Sequence, residues 1–195
     1  MLITLTQAEI EYVNQVADKR TSANREANRG RWHGPGVGGA DRVGAAGEFA
    51  FAKATNLRWT GEFMADADWQ ENKHRVHDVE IFEIRTTKLS KGRLYGHRGD
   101  QKHLPYVLVR CPNFPTLEIV GWAFGDEIQQ EENWFGGKHD RPFFLLPVEE
   151  LRPMQGLGSF YQAGEEWWFY GESPTGDCWY HLQQDGWVPQ PAVGV

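Results

Sequence analysis

His77-Asp78-Val79-Glu80-Ile81-Phe82-Glu83-Ile84-Arg85-Thr86-Thr87 is the stretch on which the reading of the fold turns. Its β-branched and aromatic residues predict a strand over 79–87. Successive side chains of a strand point to opposite faces, so Glu83, Arg85 and Thr87 share one face. Glu83 and Arg85 thus form a charged pair among apolar Ile81, Phe82 and Ile84. Alone, such a pair reads as a structural salt bridge on an exposed face. Asp78, five residues before Glu83, makes it less ordinary. Asp78 and Glu83 differ in strand parity, however. They can meet only where the chain turns or bulges between them. Glu80, with a parity different from Glu83 as well, is the rival to Asp78, and Asp78 is preferred.

Working outward, Ser90-Lys91-Gly92 predicts a hairpin turn into a strand over 93–98. Further strands are expected over 106–111 and 117–124. A short helix capped by Asp126, a strand over 143–146 and a helical turn over 148–151 should follow. Upstream, Asp41 is a good N-cap for a helix running to about Thr55. That helix carries Glu48 and has no other charge between Arg42 and Lys53. A helix so poor in charge is buried on most faces. Burying an unpartnered carboxylate costs several kcal/mol. Glu48 should therefore face a cation, a metal or a hydrogen-bonding cleft; the alternative is a narrow solvated stripe. Gly44, Ala45 and Ala52 are small enough to admit a close neighbour.

Ahead of this helix, Thr6 and Glu9 have capping-box spacing for a helix over 6–19, with Ile10, Val13, Val16 and Ala17 as its apolar stripe. Lys19 to Arg31 is basic, and a Gly/Pro loop spans 34–39. The expected organisation is an N-terminal helix and basic arm over 1–40, a core over 41–155, and a small β-rich, aromatic appendage over 156–195.

The set Glu48, Asp78, Glu83 and Arg85 has a chemical reading. Hard cations such as Mg²⁺ take oxygen ligands, typically one or two carboxylates plus water and substrate phosphate. Phosphodiester hydrolysis uses such an ion, together with a cationic side chain near the scissile phosphate.

The order helix-Glu, then Asp, then Glu-X-basic on a strand resembles the PD-(D/E)XK nuclease superfamily. More narrowly, Glu83-Ile84-Arg85-Thr86-Thr87, Gly92-Arg93-Leu94, Tyr106-Val107-Leu108-Val109 and Gly121-Trp122 resemble its phage-encoded members, over about residues 41–153. The resemblance implies an α/β (α+β) restriction-endonuclease-like core, with a mixed central sheet flanked by helices. It implies a nuclease hydrolysing phosphodiester bonds in DNA, in phage or mobile-element DNA processing, with RNA compatible with the same chemistry. It implies Mg²⁺ or Mn²⁺ held by Glu48, Asp78 and Glu83, with Arg85 at the third position of the motif. The alternative is a nuclease fold that has lost hydrolysis and binds nucleic acid or a protein partner. The chain departs from the pattern at Arg85, where lysine is usual. Arginine stabilises charge but stays protonated at ordinary pH, so it is a poor general base. Lys88 is nearby, with opposite parity.

Composition sets the outer bounds. The 195 residues carry a net charge of −7, with 40% apolar and 24% charged residues, ordinary for a globular chain. The charge is uneven, about +3 over residues 1–111 and about −10 over the rest. A polyanion is steered toward the first part. Arg20, Arg25, Arg29, Arg31, Lys88 and Arg93 are the expected phosphate contacts. Only Cys111 and Cys178 are present, without a CxxC pair, which fits a reducing cytoplasm. No apolar run approaches the roughly 20 residues of a membrane span, and no secretory leader is expected. Gly34, Gly36 and Gly39 match G-x-G-x-x-G without the preceding strand a dinucleotide site requires.

Overall fold

The computed structural model describes residues 1–26, 37–61, 77–136, 143–164, 166–171, 178–183 and 186–189. The chain is a mixed α+β protein built around a four-stranded sheet. The strand order is β1 (Leu2–Thr4), β5 (Thr116–Phe124), β4 (Pro105–Asn113), β2 (Glu83–Thr87). β2 and β4 run parallel, with Glu83 opposite Tyr106 and Arg85 opposite Leu108. β4–β5 and β5–β1 are antiparallel, so the sheet is mixed, as expected.

β4 explains the layering. Val107, Val109 and Cys111 point into one buried cluster, and Tyr106 and Leu108 into another. This period of two buries both faces. On the first face lie helices α1 (Gln7–Glu26) and α2 (Val37–Thr55), through Val13, Ala17, Ala46, Ala50 and Phe51. Full burial of a side chain like Phe51 stabilises by roughly 1.5–3 kcal/mol. On the second face lie Leu94, Phe144 and Leu146, from a three-stranded sheet ordered β3 (Leu94–Gly96), β7 (Phe143–Leu146), β6 (Trp134–Phe135). Ile128 of the short helix α3 (Gly125–Ile128) joins them. An antiparallel meander, β8 (Phe160–Ala163), β9 (Glu166–Gly171), β10 (Cys178–Gln183) and β11 (Gly186–Pro189), forms the C-terminal sheet.

Several sequence expectations shift. α1 runs seven residues beyond the expected end, through Arg20 and Arg25, because Val16, Ala17 and Thr21 continue its buried stripe. α2 begins four residues before Asp41. Asp41 is not its cap; its Oδ2 accepts a 2.6 Å bond from Thr21 Oγ1 and ties the two helices together. The expected hairpin between the strands around Ser90 is corrected. A turn does occur at 90–91, but β2 pairs with β4 while β3 pairs with β7 in another sheet. After that turn Leu94 enters the second core rather than lying back along β2. The short helix expected to be capped by Asp126 is α3, whose N-cap is Phe124; Asp126 lies in its first turn, and a 3₁₀ turn follows at Glu131–Asn133.

Ala45 and Ala52 are buried in the core, but the tightest approach of α2 to the strand among the helix's glycines is at Gly47, not Gly44. A Cβ on Gly47 would overlap Thr86 Oγ1 and lie 3.0 Å from Thr86 Cβ, whereas a Cβ on Gly44 would meet nothing within 4 Å. Gly47 thus lets α2 sit directly on β2, which brings Glu48 to the level of the strand.

Candidate metal centre

The parity obstacle between Asp78 and Glu83 is removed by a tight turn. Val79 N–H bonds to Phe82 O at 3.1 Å, and Phe82 N–H to Val79 O at 2.8 Å. Glu80 occupies the turn at φ 52°, in the left-handed region. The reversal folds Asp78 back alongside β2, where its Oδ2 accepts a 2.7 Å bond from Ile84 N–H. Burial pushes the Asp78 carboxyl well above its ordinary range, and the negative charges of Glu48 and Glu83 push it further; Ile84 N–H and Arg85 oppose this.

The left-handed conformation suits glycine better than glutamate, by roughly 1–2 kcal/mol before the extra chain entropy of glycine is set against it. Glu80→Gly should thus raise stability by up to about 1 kcal/mol, read from the urea midpoint. It should also leave divalent-metal affinity unchanged. A loss of affinity would restore Glu80 as the ligand in place of Asp78.

Glu48 is 4% exposed. Arg20 holds it with both terminal nitrogens, NH1 to Oε1 and NH2 to Oε2, each at 2.6 Å. Trp59 Nε1 donates to Oε2 at 2.9 Å. Burial pulls the Arg20 guanidinium down, but the bonds and charge of Glu48 outweigh it and raise it overall. Glu48 therefore faces a cation, as the uncharged helix implied, and that cation is Arg20. Trp59 sits against Phe49 and Tyr12, ring centroids 5.2 and 5.5 Å away.

Glu83 lies between two partners. Its Oε1 is 3.1 Å from His77 Nδ1, and its Oε2 is 3.6 Å from Arg85 NH1. Arg85 NH2 donates to Asp100 Oδ2 at 2.9 Å, and Asp100 Oδ2 also accepts His97 N–H at 2.9 Å. The guanidinium lies over the rings of Tyr106 and Tyr95, 5.0 and 5.6 Å from their centroids. Burial alone would lower Arg85; Asp100 and Glu83 raise it overall. Burial also pushes both phenols up. Arg85 is consequently a fixed positive centre between two carboxylates. Its Nε has no hydrogen-bond partner among the described residues.

Sequence reading placed Arg20 among phosphate contacts. The structure instead turns it inward, its side chain 14% exposed and bound to Glu48. Lys88 and Arg93 are exposed beyond the end of β2. Arg29, Arg31 and His74 lie outside the described residues, and so does the side chain of Arg25. His77, just ahead of the turn, touches Glu83. Asp100 and Trp59 were not singled out. Nothing local marks either, because their partners are 15 and 11 residues away.

Among the described residues, no group of three or more His, Cys, Asp or Glu side chains is close enough to hold an ion together. Mg²⁺ needs only one or two carboxylates, with water and phosphate completing its octahedron. Asp78 and Glu83 supply hard oxygen donors of that kind. Asp78, held on Ile84 N–H, lies beside Glu83 at the start of the same strand, so the donor chemistry fits the ion.

Asp78 makes a stability prediction of definite sign. Its folded value lies above its unfolded one, so its contribution is full below the ordinary carboxylate range and is lost as pH rises toward the folded value. Asp78→Asn, neutral throughout, should melt higher than the parent at neutral and alkaline pH and level with it in acid. Melts in EDTA across pH check this. A variant less stable at pH 8 would mean that the ionised carboxylate is well satisfied.

No known family, curated protein or solved structure matches the chain. Among the described residues, no helix is long and apolar enough to cross a membrane.

Proposed function

We propose that the chain is a divalent-metal-dependent nuclease with a restriction-endonuclease-like core, acting on phosphodiester bonds of DNA. The observation that supports this reading is the turn at 79–82, which folds Asp78 back beside β2, its Oδ2 accepting from Ile84 N–H next to Glu83. Asp78 and Glu83 would hold Mg²⁺ or Mn²⁺. When bound, the ion supplies an activated water and neutralises charge developing on the phosphate.

The chain's own residues do the rest. Burial raises the Asp78 carboxyl, so a cation there competes with protons and metal binding should tighten as pH rises. His77 orients Glu83. Arg85, pinned by Asp100 and the two tyrosines, presents positive charge beside the carboxylates without acting as a base. Lys88 and Arg93 are exposed cations that can meet the phosphate backbone, and Arg25, Arg29 and Arg31 are proposed to add to them.

A second reading has its own support. The bidentate Arg20 clamp already neutralises Glu48, which favours a nuclease fold that binds nucleic acid or a protein without cutting. One incubation separates the two. Purified protein is mixed with linear, circular and single-stranded DNA, with Mg²⁺, Mn²⁺ or EDTA. Metal-dependent cleavage lost in Asp78→Asn supports the enzyme. DNA retention without cleavage in any metal supports the second reading.

A further inference from the structure

Residues 85–103 hold six Lys and Arg against one Asp, a net +5 in a chain of −7. Arg85 is turned inward between Glu83 and Asp100, but Lys88, Lys91, Arg93, Arg98 and Lys102 are all exposed. Among the described residues, none of these five pairs with a carboxylate. Arg20, Arg42, Lys53, Arg110 and Arg152 each do. The chain has 27 Asp and Glu, so acids to neutralise the stretch are not scarce. Unpaired like charges repel one another, and a run of them left open in an acidic chain attracts a polyanion.

Topology separates the five into two groups. β2 and β4 are parallel, so the chain travels back along β2 before β4 begins, and β4 starts with Pro105 and Tyr106, level with Glu83. Lys88, Lys91 and Arg93 belong to the far end of β2; Lys88 is roughly 16 Å from Glu83 along an extended chain. Residues 97–103 lie at the returned end. Asp100 in their middle meets Arg85 at 2.9 Å, and Arg98 and Lys102 flank Asp100, two residues to either side.

This loop is fixed along its length. Asp100 N–H bonds to His97 O at 3.0 Å, and Asp100 Oδ2 accepts His97 N–H at 2.9 Å. Gln129 Nε2 donates to Asp100 O at 3.0 Å, Asp126 N–H to Lys102 O at 2.7 Å, and Trp187 Nε1 to His103 O at 2.7 Å. The Arg98 guanidinium lies over the Trp134 ring, 4.4 Å from its centroid, which steadies the side chain and leaves N–H donors for an acceptor. Cations on a fixed loop meet an anion at little ordering cost.

We propose that residues 97–103 clamp the phosphodiester backbone of a nucleic acid, with Arg98 and Lys102 holding the phosphates next to the one beside Arg85. The inference rests on the reading of the chain as one that meets nucleic acid, whether or not it cuts. It gives the nearest phosphate contacts to this loop and leaves Lys88 and Arg93 for phosphates farther along the strand. Five unpaired cations spread from Lys88 to Lys102 suit a chain of phosphates better than one small anion.

Fluorescence anisotropy in EDTA, with a DNA duplex of about 20 base pairs and its separated strands, reads binding free of metal and cleavage. The parent should bind, with affinity falling steeply between about 50 and 200 mM salt. Arg98→Ala and Lys102→Ala should each flatten the salt slope for the duplex by about 0.9, and the double variant by about 1.8 with at least a tenfold loss of affinity at the lower salt. Both side chains are exposed, so melting temperatures should hold. Arg98→Lys should keep most of the slope, since it keeps the charge. Cleavage with Mg²⁺ or Mn²⁺ is scored separately. DNA binding that depends on Arg98 and Lys102, without cleavage in any metal, would support the clamp and refute only the enzyme. Parental affinity and slope in the double variant would overturn the clamp, and would leave the enzyme standing if cleavage persists. No binding of either DNA by the parent at the lower salt would overturn it as well.

Discussion

Arg20→Met should destabilise the protein by about 3–5 kcal/mol, because it leaves Glu48 as an uncompensated buried carboxylate. Among the described residues, only the Trp59 N–H would still donate to it. The double variant Arg20→Met, Glu48→Met should recover most of the loss, since replacing a whole buried pair with apolar side chains is often neutral or stabilising. Divalent metal then separates structure from function. With Arg20 gone, Glu48 adds a full negative charge to the group that already contains Asp78 and Glu83. If these carboxylates form an ion site, Mg²⁺ or Mn²⁺ should bind Arg20→Met more tightly than the parent. Saturation at a hundredfold over Kd returns roughly 2.7 kcal/mol. Thermal melts of parent, single and double variants, with and without metal, read all of this. A destabilised single variant that metal does not rescue would mean that Glu48 serves only the ion pair, and would strengthen the non-cutting alternative.

The same residue shows what the sequence could and could not convey. The lack of other charges between Arg42 and Lys53 marked Glu48 as buried and in need of a cation, and the structure gives it one. It could not say that the cation would be Arg20. That pairing is made by the packing of α1 on α2, across 28 residues, and depends on α1 continuing past its expected end. The strands over 106–111, 117–124 and 143–146 were legible because period-two burial and β-branched composition are local signals. Strand partners were not. β2 lies beside β4 in parallel, and the turn after β2 looks the same in sequence whether the chain returns to β2 or leaves for another sheet. Between Asp78 and Glu83, parity reasoning required a turn. The residues at 79–82 include none of the usual turn formers, and the turn is made by Glu80 in a backbone conformation glutamate seldom takes. Asp100 was hidden for a related reason: it reaches Arg85 from beyond β3, and only tertiary structure joins them.

The largest expected effect on chemistry is at Glu83 and Arg85, which share one strand face but should fail differently. Glu83→Gln should abolish metal binding and cleavage together, because a neutral amide is a poor ligand for a hard dication. Arg85→Ala should retain metal and lose roughly 10²–10³ in rate, by analogy with the removal of a charge-stabilising donor in other active sites. It also leaves Asp100 and Glu83 without their shared cation, so a melt must accompany the assay. Arg85→Lys keeps that charge and resolves the ambiguity. A lysine ammonium cannot reproduce the planar fork that lies over Tyr106 and Tyr95 while bonding Asp100. If only positive charge is needed, Arg85→Lys should stay within about tenfold of the parent, a margin of roughly 1.4 kcal/mol. If the fork places that charge, Arg85→Lys should fall toward Arg85→Ala, and Asp100→Asn should fall with it while metal affinity is spared. Full activity in Arg85→Ala would remove Arg85 from the mechanism and move attention to Lys88, exposed just past the end of the same strand.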